Sequence, residues 1–214
     1  LLLHALAPLV ESAWLDCLVV VAPAEELDAI AETLDAELPS SFPAAVVPGG
    51  AERADSVRAG LEWLASWDGW QAGAGHLVAI HDAARPLLSM ELWQRVLLAA
   101  VREGAAVPGM PVVDTLKRVD EGGRITGTLD RNGIWQVQTP QVFTFDEILA
   151  AHRRIHQAGE PVTDDAQVWE LSGRPLRMVE GEWENIKVTT PADLLLAEAI
   201  LRRRGEELAC GPGL

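Results

Sequence analysis

A glycine-containing turn in the first quarter of the chain has the composition of a nucleotide-binding loop. Residues 48–56 are PGGAERADS, in which two glycines are followed by an acidic and hydroxyl pair, Asp55 and Ser56. Backbone amides in such a turn can donate hydrogen bonds to a base edge or a phosphate. The alternative is a plain strand, turn and helix in which Asp55 or Ser56 caps the helix. The turn alone does not separate these two interpretations.

A second segment, HDAARP at residues 81–86, places an acid and a guanidinium directly after an apolar run. Ligand sites in α/β proteins gather at the carboxyl ends of strands, and a carboxylate there could hold Mg²⁺ on a nucleotide phosphate. We therefore predict a functional role for Asp82 and Arg85. The alternative is an ion pair between the two that only fastens the loop.

Charged and hydroxyl residues recur in later segments. These segments are 114–118 (DTLKR), 130–135 (DRNGIW), 138–141 (QTPQ), 163–166 (TDDA) and 184–190 (ENIKVTT). Such groups suit a phosphate, although a solvated surface, an N-cap at Thr163 and an exposed Lys187 explain the same residues. The five histidines offer one metal-like spacing, His152 and His156, which we interpret as a solvated helix face beside two arginines.

The predicted elements alternate between strands and helices through the first half of the chain. Apolar runs at 15–22 and 76–80 are typical of strands buried on both faces, and helical patterns separate and follow them. This order predicts a three-layer, Rossmann-like α/β fold with a mostly parallel sheet. Beyond residue 105, short β-like pieces between turn signals predict a projecting β-arm at 112–138. Such an arm is marginal unless it packs on a partner subunit.

Length and composition indicate one folded domain and exclude several function classes. The 214 residues are 49% hydrophobic and 23% charged, and no apolar run approaches the ~20 residues of a membrane helix. The 32 acidic residues outnumber the 17 basic ones, for a net charge of −15, which disfavours nucleic acid and anionic lipid as partners. The two cysteines have no metal-ligand spacing and fit a reducing, cytoplasmic location.

Six blocks of the sequence, taken together and in order, resemble the 2-C-methyl-D-erythritol 4-phosphate cytidylyltransferase family of the non-mevalonate isoprenoid pathway. The blocks are GGAERADSVRAGL, HDAARP, VVDTLKRV, DRNGIWQVQTPQVF, TDDA and ENIKVTTPADLLLAEAIL. The resemblance implies a single nucleotidyltransferase domain over residues 1–214 and a homodimer with interlocking β-arms. It also implies transfer of the cytidylyl group of CTP to the sugar-alcohol phosphate, with release of pyrophosphate and with Mg²⁺ or another divalent cation as cofactor.

The resemblance also implies roles for single residues. Gly50, Ala51 and Ser56 would contact the cytosine, although the family usually carries an acidic or similar polar residue where this chain has Ala51. Asp82 would serve the metal and ribose region. The predicted catalytic residues are Asp82, Lys187 and Arg131. The residues predicted to line the sugar-phosphate pocket are Arg85, Thr115, Thr139, Thr163, Lys187 and, from the other subunit's arm, Arg131.

The family's first strand and its Gly-rich loop, which carries Arg and Lys, have no counterpart in these 214 residues. Because such cations stabilise the transition state, we expect a chain without the loop to be nearly inert, and we expect the natural protein to carry this segment upstream of Leu1. Two alternatives stay open. One is a cytidylyltransferase for another polyol phosphate, such as ribitol 5-phosphate, and the other is a catalytically dead nucleotide-binding protein. Residues upstream of Leu1 would discriminate, since a Gly-rich segment with Arg and Lys supports the enzyme.

Overall fold

The computed structural model describes residues 1–67 and 75–210, and side chains up to residue 205. The predicted domain, 1–214, therefore includes positions outside the described residues. The helices are α1 (Leu2–Glu11), α2 (Leu27–Glu37), α3 (Arg53–Ser66), α4 (Met90–Glu103), α5 (Phe145–Ala158), α6 (Asp165–Glu170) and α7 (Pro191–Cys210). The strands are β1 (Leu18–Ala22), β2 (Ala44–Pro48), β3 (Leu77–Ile80), β4 (Ala105–Pro111), β5 (Lys117–Val119), β6 (Ile125–Thr128), β7 (Trp135–Val137), β8 (Gln141–Thr144) and β9 (Arg177–Glu180).

Helices cover both faces of the central strands, as the predicted three layers require. Successive residues of a strand point to opposite faces. In β4, Ala105 and Val107 belong to the core that includes α5 and α6, whereas Ala106 packs in the core that includes α4. A third core joins α1 and α2 to β1 and β2 through Leu6 and Leu34, among others.

The sheet corrects the prediction of mostly parallel strands. Within the described residues, β1 and β2 form a parallel pair, and a separate sheet has the order β3-β8-β4-β7, with β9 parallel to β4. Strand β8 runs antiparallel to both β3 and β4, and β7 runs antiparallel to β4. The physical reason is the arm, because the chain leaves along β4 and returns in the opposite direction. The prediction missed β8, which directly follows Pro140.

Local sequence signals set the two ends of α4, the helix that follows β3. Ser89 is the N-cap, and its side chain accepts a hydrogen bond from the backbone N–H of Leu92 at 2.9 Å. Gly104 ends the helix at φ 84°, a left-handed conformation that glycine adopts without a side-chain clash.

The β-arm is a separate two-stranded ribbon of β5 and β6. Its base is closed by a hydrogen bond from the Val112 N–H to the carbonyl of Ile134 at 3.0 Å. Residues 135–137 of the predicted arm pair with β4 and so belong to the main sheet. Apolar side chains on and around the ribbon are exposed, including Val119 at 55% and Ile125 at 66%.

An apolar cavity of about 370 Å³ separates β1 from β3. In the described ranges β1 pairs with β2 alone and β3 with β8 alone, so the facing edges of these two strands do not pair with each other. The cavity is apolar along the strands and ends at polar residues, among them Arg53, His81 and Asp82. None of the described helices is long and apolar enough to cross a membrane.

Candidate active site

The glycine turn after β2 is held by the start of α3. The N–H of Gly50 donates to Ser56 Oγ at 3.1 Å, and that hydroxyl donates to the carbonyl of Glu52 at 3.2 Å. A Cβ on Gly50 would lie 2.3 Å from Asp55 Cβ, so the turn admits only glycine without a shift of the helix. Glu52 is the N-cap position, without a side-chain cap, so the alternative that Asp55 or Ser56 caps the helix is wrong. Ala51 is exposed beside this turn.

Asp82 lies two residues beyond β3 and contacts a cation on each side. Its Oδ1 lies 3.4 Å from Arg53 Nη2 and its Oδ2 lies 2.8 Å from Lys187 Nζ. Burial alone would raise the pKa of Asp82, but the hydrogen bond from Lys187 and the charge of Arg53 outweigh it and hold the pKa below its usual value. Lys187 is more exposed than Asp82, with 44% of its side chain accessible against 16%.

The alternative of an ion pair between Arg85 and Asp82 is not found among the described contacts. Its guanidinium donates to two backbone carbonyls, of Asn185 at 2.8 Å and of Val137 at 3.3 Å. Burial lowers the pKa of Arg85, and the nearby charge of Asp82 opposes that effect. Arg85 therefore links the segment that carries Lys187 to the end of β7.

Thr139 is buried and bonded within the protein. Its Oγ1 accepts from the N–H of Asp82 at 3.1 Å and lies 2.8 Å from His81 Nδ1. His81 Nε2 lies 3.2 Å from the carbonyl of Arg85, which can only accept, so Nε2 carries the proton and Nδ1 accepts from Thr139. Burial lowers the pKa of His81 to about 4, which keeps the ring neutral. These contacts fix the position of the backbone at Asp82.

The structure brings together three segments that are far apart in sequence, and buried amides hold them. Asn185 is fully buried, and its Nδ2 donates to the carbonyl of Thr139 at 2.9 Å. Gln138 donates to the carbonyl of Glu182 at 2.7 Å and accepts from that residue's N–H at 3.1 Å. Sequence reasoning gave no role to Asn185, Gln138 or Arg53. The only signal was their position inside the quoted blocks.

The other predicted site residues, Thr163, Thr115 and Arg131, have no described contact with Asp82, Arg85 or Lys187. Thr163 is exposed and donates to Gln167 Oε1 at 3.1 Å, while Asp164 is the N-cap of α6, so the alternative of a Thr163 cap is wrong. Thr115 and Arg131 are exposed on the arm, and Arg131 donates to the carbonyl of Val113. No described contact joins the arm residues to Asp82 of the same chain.

The interpretation of His152 as a solvated residue is wrong. Only 2% of His152 is exposed, and its Nε2 lies 3.0 Å from Asp165 Oδ1. Asp165 is fully buried, and its Oδ2 lies 2.8 Å from Arg53 Nη2. Burial alone would lower the pKa of Arg53, but Asp165 and Asp82 together raise it, so the guanidinium stays charged. His156 is the exposed member of the pair and lies 3.3 Å from Asp55.

Comparison with known proteins gives a consistent result. Residues 1–203 match the family model described as 2-C-methyl-D-erythritol 4-phosphate cytidylyltransferase. The chain is 46% identical over 190 residues to a protein of that name from Pelotomaculum thermopropionicum, covering 89% of this chain and 76% of that one. Several other curated relatives are matched over about two thirds of their length.

Solved structures are also similar to this chain. The enzyme from Thermus thermophilus superposes with a TM-score of 0.74 at 36% identity, covering 93% of this chain and 87% of that one. A 4-diphosphocytidyl-2C-methyl-D-erythritol synthase from Anaerococcus prevotii gives a TM-score of 0.80 at 28% identity, covering 94% and 88%.

Proposed function

This chain belongs to the 2-C-methyl-D-erythritol 4-phosphate cytidylyltransferase family, and we propose that the cluster around Asp82 is the site at which it transfers a cytidylyl group from CTP to that sugar phosphate. The enzyme is a nucleotidyltransferase. The observation that carries this assignment is that Arg53 and Ser56 of α3 and Asp82 line one end of the cavity, and that Arg53 and Lys187 both contact Asp82.

The reaction forms one phosphorus–oxygen bond and breaks another. A phosphate oxygen of the sugar phosphate attacks the α-phosphorus of CTP, and pyrophosphate leaves with the electron pair of the broken bond. Negative charge concentrates around the reacting phosphates, so catalysis rests on orientation and on cations matched to that charge. Lys187 supplies an exposed ammonium beside Asp82. We assign it to the transferring or accepting phosphate.

The cytosine side of the site is the turn before α3. Gly50, Ala51 and the Ser56 hydroxyl are assigned to the base, with backbone amides as donors. Because Ala51 has no polar side chain, a hydrogen bond from this position to the base can come only from the main chain. The absence of a Cβ at Gly50 lets a planar ring approach the backbone closely.

Asp82 could hold a divalent cation only if the phosphates of the nucleotide supply further ligands. Within residues 1–67 and 75–210 no group of three His, Cys, Asp or Glu side chains could hold a metal by itself. Mg²⁺ commonly takes one or two carboxylates plus substrate phosphates and water, so Asp82 with the phosphates of CTP is a sufficient donor set. When bound, the cation would neutralise developing phosphate charge.

The second copy of the chain completes the site in this proposal. An isolated two-stranded ribbon is marginal in water, and the arm exposes Val113, Val119 and Ile125. A homodimer in which each arm packs on the partner covers that surface. It would also carry Arg131 to the partner's sugar-phosphate pocket, while Arg85, Thr115, Thr139 and Thr163 are assigned to the pocket of their own chain. A reducing cytoplasmic location is consistent with the free thiol of Cys17.

The test is direct. The protein is incubated with CTP, Mg²⁺ and 2-C-methyl-D-erythritol 4-phosphate, and pyrophosphate and the cytidylyl product are measured. Ribitol 5-phosphate serves as the competing acceptor. A preference for ribitol 5-phosphate would contradict the assigned substrate, and saturable CTP binding without pyrophosphate release would support a binding protein instead.

A further inference from the structure

Two buried polar side chains beside the site have no role in the function proposed above. His152 on α5 and Asp165 at the start of α6 contact each other at 3.0 Å and are 2% and 0% exposed. Burying a carboxylate is costly unless it is paired and hydrogen-bonded. A role for this pair must therefore lie in what Asp165 contacts besides His152.

Asp165 holds the guanidinium of Arg53. The two oxygens of Asp165 divide their partners, because Oδ1 faces His152 and Oδ2 lies 2.8 Å from Arg53 Nη2. The same Nη2 lies 3.4 Å from Asp82 Oδ1, so one nitrogen bridges two carboxylates and is closer to the buried one. Arg53 is anchored on its buried side, and the other oxygen of Asp82 is left to Lys187.

Asp165 is itself fixed by the sheet that carries Asp82. Gln141 of β8 is 1% exposed and lies opposite Ile80, the last residue of β3. Its amide donates to Asp164 Oδ2 at 3.0 Å and accepts from the N–H of Ala166 at 2.9 Å. The residues before and after Asp165 are thus both bonded to one buried side chain, so the start of α6 has a defined distance from the Asp82 loop.

We propose that Asp165 and His152 are positioning residues of the transfer site, which hold the Arg53 guanidinium so that it shares only one oxygen of Asp82 and leaves the other to Lys187. This inference rests on the proposed function. Without the Asp165 charge, Arg53 would lose its nearer partner and would close onto Asp82. The carboxylate would then be neutralised from the protein side, and its placement against the substrate phosphates would be lost.

The kinetic test compares two substitutions at one buried position. His152→Gln retains an N–H donor for Asp165, whereas His152→Leu fills similar space without one. We expect His152→Leu to lower kcat by tenfold or more with both KM values within about threefold, because misplaced groups cost rate rather than affinity. His152→Gln should stay within about threefold of the parent. Equal kcat values for the two variants, both confirmed folded by circular dichroism, would overturn the proposal.

A second measurement follows Arg53 directly and needs no turnover. In ¹⁵N NMR spectra of the free protein, a fixed guanidinium gives a sharp, separate Nε–Hε resonance, assigned by its loss in Arg53→Lys. We expect that resonance to persist in His152→Gln and to broaden or average in His152→Leu and in Asp165→Asn. An unchanged Arg53 resonance in the folded His152→Leu protein would overturn the positioning role. A parent protein without cytidylyl transfer would defeat the proposed function, while this spectrum would still decide how Arg53 is held.

Discussion

At the scale of single residues, the charge of Asp82 is the feature on which the proposed chemistry most depends. Asp82→Asn removes a hard oxygen charge from a loop and leaves the volume unchanged. We expect turnover at saturating Mg²⁺ to fall at least about tenfold, as for other lost electrostatic contacts at reacting phosphates. Steady-state kinetics over a range of Mg²⁺ concentrations measure this effect. Turnover within about threefold of the parent would contradict the metal role.

The two lysines of the chain provide a matched pair. Lys187 Nζ contacts Asp82, whereas Lys117 Nζ donates to Thr128 Oγ1 at 2.6 Å on the arm. We expect Lys187→Ala to raise the KM for the sugar phosphate by about tenfold, because a charge-assisted phosphate contact is lost. Lys117→Ala removes the same charge without touching the cluster, and is the control. If neither kinetic constant changes in Lys187→Ala, Lys187 is only a surface residue.

At the scale of elements, the neutral ring of His81 ties the end of β3 to the turn between β7 and β8. Burial lowers the pKa of this residue from 6.5 to about 4 in the folded protein. The unfolded chain therefore binds a proton that the folded chain does not accept, and stability is lost as pH falls from 6.5 towards 4. Between pH 7 and pH 5 this linkage amounts to about 2 kcal/mol of unfolding free energy.

The measurement is the free energy of unfolding by urea at several pH values, for the parent and for His81→Gln. The substitution removes the titrating ring, so the loss between pH 7 and pH 5 should be about 2 kcal/mol smaller in the variant. Parallel pH curves for the two proteins would show that His81 titrates normally. The depressed pKa values of Asp82 and Glu184 act at lower pH and do not produce this difference.

At the scale of the whole molecule, the proposed site is complete only when the exposed arm of the partner subunit reaches it. We expect Arg131→Ala to leave a dimer with little activity, because its guanidinium would serve the partner's phosphate pocket. Mixing it with inactive Asp82→Asn restores one intact site in each heterodimer. At random exchange about half of the dimers are heterodimers with one good site of two, so about a quarter of parental activity should return.

Subunit exchange is verified by native mass spectrometry before activity is compared. Mixtures that contain heterodimers but stay as inactive as the separate variants would mean that Arg131 acts within its own chain or not at all. A protein that is monomeric at assay concentration would contradict the role assigned to the arm. The exposed side chains of Val119 and Ile125 would then have to be covered by something other than a second copy of the chain.

Much of this protein could be predicted from its sequence alone. The periodicity of apolar residues indicated strands at 15–22 and 76–80, where β1 and β3 lie, with helices between and after them. The residue types at Asp82 and Lys187 indicated phosphate chemistry before any contact was known. These features are local, because burial pattern and backbone preference are properties of neighbouring residues.

Tertiary structure alone decided the direction of the strands and the partners of the charges. The antiparallel course of β8 depends on how the chain returns from the arm, which no local pattern records. The same holds for His152, which is followed in the sequence by two arginines and whose partner in space is Asp165. Whether a polar side chain is solvated or buried depends on residues far along the chain. The contacts that hold Arg53, and through it Asp82, therefore become visible only in the folded molecule.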